Sequence, residues 1–279
     1  MKVAVTGATG FIGQHVVKSL QKFPVEIVAA VRNGSSDKAK SLGVTTVEFD
    51  LAASTDSAYA QLGFPDTLIH LAWAGLPNYK SLHHFEQELP RHYTFLQRLV
   101  QSGLTHLVVT GTCFEYGMQS GLLHESLPPL PSNPYGFAKN SLRVQLEFLQ
   151  AQTPFALTWA RLFYLYGEGQ APNSLFPQLQ QAVQRGDNSF NMSGGEQLRD
   201  YLSITEIAEG LVNLALSKTG HNVINICSGK PVSVRRLVEN WIKTNNWKID
   251  LNLGYYPYPE YEPFAFWGDR TKFSNALGL

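Results

Sequence analysis

The stretch Gly7-Ala8-Thr9-Gly10-Phe11-Ile12-Gly13 restricts this chain more than any other feature. A β-branched run, Lys2–Thr6, leads straight into it. Behind it Ile12, Val16, Val17 and Leu20 recur at helical spacing through Phe11–Lys22. A strand, a glycine turn and an amphipathic helix in this order form a cradle for pyrophosphate. The glycines allow a tight turn and close backbone approach, and the helix N-terminus aims free N–H groups and its dipole at the phosphate. The spacing is G-x-x-G-x-x-G rather than G-x-G-x-x-G, so its placement between strand and helix carries the reading. A merely structural glycine turn is the competing reading. No Gly-Lys-Ser/Thr follows, which excludes a nucleoside-triphosphate loop. Gly7, Thr9, Gly10, Phe11, Ile12 and Gly13 are therefore the expected dinucleotide contacts.

The pattern continues as the cradle requires. Short apolar runs at Glu26–Val31, Thr46–Phe49, Thr67–Leu71, His106–Thr110 and Phe155–Arg161 alternate with helical stretches. Near-continuous apolar strands with helical crossovers predict a parallel sheet covered on both faces. Trp73–Gln101 is expected to hold one helix ending near Leu89 and a second opening at Pro90. Gly117–Asn133 reads as an irregular loop before a helix around Asn133–Gln152. Beyond Arg161, Ser174–Arg185, Ile204–Leu216 and Val234–Thr244 read as helices, and Val223–Cys227 and Trp247–Leu253 as strands. The expected fold is α/β, a Rossmann doubly wound parallel sheet over 1–165. A smaller, interleaved C-terminal α/β substrate lobe follows over 166–279, with some segments returning to the first domain.

Composition removes several function classes. Lys+Arg and Asp+Glu are 22 each among 279 residues, which leaves no electrostatic footprint for nucleic acid or an anionic membrane. Two cysteines cannot build a disulfide framework. The eight histidines include no His-x-x-x-His pair and there is no Cys-x-x-Cys, so no metal is expected. No apolar run approaches the length of a membrane span, and no leader pattern precedes the first strand; a cytoplasmic protein is expected.

The second strand ends in Val31-Arg32-Asn33-Gly34-Ser35-Ser36, where NAD enzymes usually place an acid for the ribose hydroxyls. Arg32 can attract a 2′-phosphate and Ser35 or Ser36 can donate to it. The expected cofactor is NADP(H). Asp50 and Leu51, after the third strand, are placed near the adenine edge. Tyr135 and Lys139 share one helical face at i and i+4. Such a pair suits proton transfer to a carbonyl during hydride transfer, with the ammonium tuning the phenol and holding the nicotinamide ribose. Bringing a tyrosine from about 10 to about 7 requires roughly 4 kcal/mol of phenolate stabilisation.

Together these pieces resemble the extended short-chain dehydrogenase/reductase family of nucleotide-sugar epimerases, dehydratases and reductases. The matching residues are Gly7…Gly10…Gly13, His70-Leu71-Ala72, Thr112…Tyr116-Gly117, Tyr135…Lys139, Arg161-Leu162-Phe163…Tyr166-Gly167, Arg199-Asp200-Tyr201 and Asn225-Ile226-Cys227-Ser228-Gly229. The resemblance implies cofactor contacts at Leu71, Ala72 and Trp73. It also implies a Thr112 hydroxyl beside Tyr135 on the substrate oxygen, and an Arg199 that grips the nucleotide diphosphate. Many relatives carry Asn where this chain has Tyr164, so Asn173 and Ser174 are alternative contacts near it. Cys113 lies against the substrate position and is expected as a packed, inert thiol. Trp73 suits the apolar face of a deoxysugar. A homodimer through the helices near 80–102 and 133–152 is a further implication.

Cys113 and Phe114 follow Thr112 where 4,6-dehydratases carry Asp-Glu, which argues against elimination chemistry. Arg32 argues against an epimerase that keeps NAD bound. The tail from Tyr258 to Asp269 is similar to that of 4-ketoreductases acting on nucleotide-linked 4-keto-6-deoxyhexoses. The expected reaction is hydride transfer from NADPH to the C4 carbonyl, with Tyr135 giving the proton. A UDP-hexose-type 4-epimerase is the alternative. A non-catalytic NADP-binding redox sensor is the alternative of another class.

Overall fold

The computed structural model describes residues 1–32, 39–53 and 55–279. Its centre is a seven-stranded sheet in which every neighbouring pair is parallel. The chain supplies β1 (Lys2–Thr6), β2 (Glu26–Val31), β3 (Thr45–Glu48), β4 (Thr67–His70) and β5 (His106–Thr112). It then runs through β6 (Gly121–Leu123), β7 (Ala156–Leu162), β8 (Tyr164–Tyr166), β9 (Ser189–Asn191) and β10 (Leu198–Ser203). Last come β11 (Asn222–Ile226), β12 (Pro231–Ser233), β13 (Asp250–Asn252) and β14 (Phe266–Gly268). The large sheet has the order β11-β7-β5-β4-β1-β2-β3, the doubly wound arrangement the sequence predicts.

Alternation of side chains explains how both faces are covered. Val3, Val5, Ala29 and Val31 point into one core with the helices Phe11–Leu20 and Ile204–Leu216. Ala4, Val28 and Ala30 point into the other, with the helices Leu89–Gln101 and Pro134–Gln152. β4 and β5 are buried along their whole length, whereas edge strand β3 carries exposed Thr45, Thr46 and Glu48. The strand order reverses beside β1, which pairs with β2 on one side and β4 on the other. Thr6 lies level with both Ala30 and His70. The loops leaving β1 and β4 therefore open a crevice at one point of the sheet edge, the place where such folds bind ligands.

Beyond residue 166 a third hydrophobic core joins the helices Leu175–Arg185 and Val234–Thr244 through Leu179, Phe190, Met192, Val238 and Trp241. Three segments from this half pack on the large sheet, one of them the helix Thr271–Leu277, whose Phe273 joins the core shared with Val3 and Val5. β11 extends it beside β7, and helix Ile204–Leu216 covers one face.

Several elements differ from the sequence expectation. The helix expected to end near Leu89 is not separate: a π-helical turn, His84–Glu88, runs directly into Leu89–Gln101. Pro90 has no N–H to donate, and the wider turn before it accommodates the lost bond. The loop Gly117–Asn133 contains β6, which pairs with β14 near the carboxyl end of the chain. The strand expected over Trp247–Leu253 narrows to β13. β8, β9, β12 and β14 are each three residues long and were not expected. No helix among the described residues is long and apolar enough to cross a membrane.

Candidate active site

The crevice is built on close backbone approach. Gly7 has φ +70°, and a Cβ there would lie 2.8 Å from the Ala72 nitrogen. A Cβ on Gly13 would lie 2.1 Å from the Gly7 carbonyl oxygen, so the helix can pack against the turn only without a side chain. Gly10 caps Phe11–Leu20 with no side-chain bond and no acid in the first turn. The first N–H groups of the helix are thus left for an anion. These features fit a dinucleotide pyrophosphate.

A cavity of about 440 Å³ extends from this turn. Its walls include Gly7, Gly10, Phe11, Ile12, Gly13, Leu71 and Trp73 from the cradle side. Thr112, Cys113, Tyr135, Lys139, Tyr164 and Asn173 face it from the other. Most of the residues singled out in the sequence therefore meet in one cleft. Thr9 and Ala72 belong to the adjoining turns but do not line it. Arg32 is exposed just after β2. Asn33, Gly34, Ser35 and Ser36 lie outside the described residues. Asp50 is exposed and its carboxylate accepts the Ala52 N–H at 2.9 Å, capping the turn Leu51–Ala53. Leu51 packs against the sheet core.

Helix Pro134–Gln152 presents Tyr135 and Lys139 to the cleft. Asn133 starts it by accepting the Gly136 N–H at 2.9 Å, and Pro134 fills the first turn at no hydrogen-bond cost. Tyr135 is buried among Trp73, Tyr79, His84 and Phe114. Burial pushes its phenol above the usual tyrosine range, against a hydrogen bond with Thr112 that works downward. The expectation of a phenol near 7 is thus not met by the chain's own residues; Tyr135 stands protonated, the state a proton donor needs. Lys139 Nζ donates to the Thr110 carbonyl at 2.8 Å and stands 4.1 Å over the Trp73 ring. Burial pulls its ammonium down to about 7, while Glu115 and Glu88 oppose the fall.

Thr112 ends β5 and caps the turn Cys113–Tyr116. Its hydroxyl accepts the Phe114 N–H, and Glu115 returns the bond to the Thr112 N–H at 2.9 Å, a capping box. Glu115 is completely buried; it also accepts from Trp159 Nε1 at 2.9 Å and from Arg161 Nε at 2.7 Å. The sequence reading missed Glu115, although its capping-box spacing from Thr112 was there to find. Burial raises the Cys113 thiol well above its usual range, as suits a packed thiol.

At two positions the structure shows partners the sequence did not announce. Arg199 is buried and its donors are taken within the fold. Nη2 and Nε bond Glu262 at 2.8 and 3.1 Å, and Nη1 bonds the carbonyls of Leu198 and Phe264. It lines a neighbouring cavity with Met192, Tyr256 and Glu262, so as it stands its charge is balanced by a carboxylate rather than free for a diphosphate. Trp73 lines the cleft, yet its indole is engaged by protein groups: Nε1 donates to His84 Nδ1 at 3.1 Å, and the ring stacks on His92. Asp200, beside Arg199, latches the lobe by accepting the N–H groups of Ser228 and Gly229 at 2.7 and 2.9 Å.

A second cavity, of about 560 Å³, continues the cleft outward past Tyr79, Tyr164, Tyr166, Phe176, Trp241 and Tyr261. Asn133 Nδ2 and Gln170 Oε1 are buried without a hydrogen-bond partner and their residues line it, as does Tyr164, whose hydroxyl faces Glu262. Buried polar atoms left unpaired are costly, so groups of this kind in a cavity wall mark places for ligand polar atoms.

Comparison with known proteins agrees with this geometry. The model of the NAD dependent epimerase/dehydratase family matches residues 3–227. The chain is 31% identical to dTDP-6-deoxy-L-talose 4-dehydrogenase (NAD(+)) of Aggregatibacter actinomycetemcomitans, over 97% of this chain and 100% of that one. It is 25% identical to GDP-6-deoxy-D-talose 4-dehydrogenase of the same organism, over 100% and 92%. Among solved structures, UDP-glucuronic acid 4-epimerase from Bacillus cereus in complex with UDP-glucuronic acid and NAD is 25% identical with a TM-score of 0.82, covering 100% of this chain and 93% of that one.

Proposed function

The chain belongs to the NAD dependent epimerase/dehydratase family, and from that premise we propose that it is an oxidoreductase acting at C4 of a nucleotide-linked 6-deoxyhexose. One observation carries the reading. A single cleft is lined both by the glycine cradle and by Thr112, Tyr135 and Lys139, and it opens into an aromatic cavity with unpaired polar atoms. Gly7, Gly10, Phe11, Ile12 and Gly13 would hold the dinucleotide pyrophosphate, and Leu71, Trp73 and Lys139 the nicotinamide end. When bound, the nicotinamide supplies or takes up the hydride at C4. Tyr135 gives the proton to the C4 oxygen or accepts it, and Thr112 orients that oxygen by its hydroxyl. Asn133, Tyr164 and Gln170 bind the hexose. A 4-ketoreductase and a 4-dehydrogenase are one reaction written in opposite directions, so the names of the two talose enzymes agree with this reading. The exposed Phe137 and Phe148 on helix Pro134–Gln152 support the homodimer reading.

For the cofactor, the Val31-Arg32 end of β2 favours NADP(H), because an arginine there attracts a 2′-phosphate. The printed name of the 31%-identical relative favours NAD(+) as a second reading. A panel of nucleotide-linked 4-keto-6-deoxyhexoses, with NADPH and NADH oxidation followed by absorbance, decides between them. Faster turnover with NADPH is expected. Faster turnover with NADH removes the role of Arg32. No turnover with any ketone, with NAD found in the purified protein, replaces the reductase by a 4-epimerase.

A substrate diphosphate that reaches Arg199 has to compete with Glu262, which already holds its Nε and Nη2. Substituting Glu262→Gln removes the competing carboxylate and is expected to tighten binding of UDP or dTDP by about three- to tenfold. Calorimetric titration measures it, and weaker binding by the variant would place Glu262 among the substrate's own partners.

A further inference from the structure

Behind the cleft runs a chain of buried polar groups that proton transfer from Tyr135 does not use. Thr6, His70, Glu88 and His92 are each at most 2% exposed. Thr6 Oγ1 lies 2.7 Å from His70 Nδ1, His70 Nε2 lies 2.7 Å from His92 Nδ1, and His92 Nε2 lies 3.1 Å from Glu88 Oε2. A carboxylate only accepts, so His92 Nε2 donates to Glu88. With both rings neutral, His92 Nδ1 then accepts from His70 Nε2, and His70 Nδ1 accepts from the Thr6 hydroxyl. The charge on Glu88 therefore fixes the tautomer of both rings. Burial works to raise this carboxyl, but hydrogen bonds from His92 and the Ala74 N–H hold it down at about 2. It is ionised at every working pH.

Glu88 reaches the cleft by two routes. It accepts the Ala74 N–H at 2.9 Å, which pins the loop that carries Trp73. It also orients His92, whose ring lies 4.5 Å from Trp73 and 13° from parallel. Trp73 in turn bears the Lys139 ammonium 4.1 Å over its face, a favourable electrostatic contact in a desolvated site. The other titratable groups that act on Lys139 are His70 from β4, His84 from the π turn, His92 from the next helix and Glu115 from the turn after β5; Arg91 and His83 face Glu88 itself. Burial depresses the three buried or half-buried rings, His70, His84 and His92, so they stand neutral. Glu88 and Glu115 are the anions among these groups. Glu115 is bound to the guanidinium of Arg161 at 2.7 Å, deep in the fold. Glu88 Oε1 pairs with Arg91, which is 32% exposed, and lies 3.3 Å from Nε2 of the half-buried His83, so its partners are partly screened by solvent.

We propose that Glu88 is a positioning residue for Lys139, holding Trp73 beneath the ammonium through His92 and adding to the negative charge of Glu115 that balances it in a dry pocket. The inference rests on the reading of Tyr135 and Lys139 as the proton-transfer pair, but its test needs no substrate. Glu88→Gln keeps an acceptor oxygen for the Ala74 N–H and removes the charge. The ionisation of Lys139 is read by NMR on protein carrying 13C,15N-lysine, the signal being identified by its loss in Lys139→Arg. The Lys139 midpoint is expected to fall by about one pH unit in Glu88→Gln, in keeping with loss of a nearby opposite charge, and to recover in Glu88→Asp. A mere packing role would not move it. Trp73→Leu, at a half-buried position, removes the platform and is expected to lower the same midpoint. An unchanged midpoint in either variant, folded by circular dichroism, overturns the proposal. A lowered midpoint in a protein that turns over no nucleotide-linked sugar supports it and removes the functional reading instead.

Discussion

Tyr135→Phe is expected to lower kcat by about 10²–10⁴-fold, the usual contribution of a positioned acid or base, while cofactor affinity stays within about threefold. The asymmetry follows from the packing. The Tyr135 ring rests against Trp73, Tyr79, His84 and Phe114 at centroid distances of 5.2–6.4 Å. Phenylalanine keeps each of those contacts and removes only the hydroxyl that meets Thr112. No neighbour replaces the lost proton donor. His84 has both ring nitrogens occupied, by Trp73 Nε1 and by the Asn78 carbonyl. The Cys113 thiol is held protonated by burial and is a poor acid. Lys139 Nζ is bound to the Thr110 carbonyl. Steady-state rates with the preferred ketone, and titration of cofactor by quenching of protein fluorescence, measure the two quantities. Retained turnover would move the proton to another group and dissolve the role given to Tyr135. A parallel loss of cofactor affinity would make Tyr135 a binding residue instead.

The parts legible in the sequence were those with a period or a fixed motif. Lys2–Thr6 and Glu26–Val31 are short, β-branched runs that fit strands buried on both faces, and Phe11–Leu20 shows a helical stripe. β8, β9, β12 and β14 escaped because three residues cannot display a period of two; partners distant in sequence make them strands, as when Phe266–Gly268 meets Gly121–Leu123. The site divided along the same line. Tyr135, Lys139 and Thr112 are local motifs. The Arg199 motif was readable, but its partner Glu262 lies 63 positions away, and nothing in the spacing announces the pair. The His70–His92–Glu88 chain joins a strand end to a helix across 22 positions. Only its i,i+4 Glu88–His92 step is local, and such pairs are common on helix surfaces.

Glu115→Leu is expected to cost about 3–5 kcal/mol of stability, because removing one member of a buried ion pair strands the other. Arg161 is 1% exposed, and its Nη1 already lacks a hydrogen-bond partner, so its charge has no route to water. The loss extends beyond one ion pair. Trp159 Nε1 and the Thr112 N–H both donate to the same carboxylate, and each buried donor left unpaired costs about 1–3 kcal/mol. Gly111 shows how tightly the group is seated, since a Cβ there would lie 2.4 Å from Glu115 Oε1 and 2.2 Å from Trp159 Nε1. Thermal unfolding should register the change at roughly 2–4 °C for each kcal/mol in a domain of this order of size. The double variant Glu115→Leu with Arg161→Met separates charge from packing. If the stranded guanidinium is the main cost, the second substitution restores most of the lost Tm, since an apolar pair of similar volume replaces a buried ion pair at little net cost. Stability that stays low in the double variant would assign the loss to Trp159 and Thr112. In either event kcat should remain depressed, because both variants lack the Glu115 carboxylate of the capping box that seats the Thr112 hydroxyl beside Tyr135.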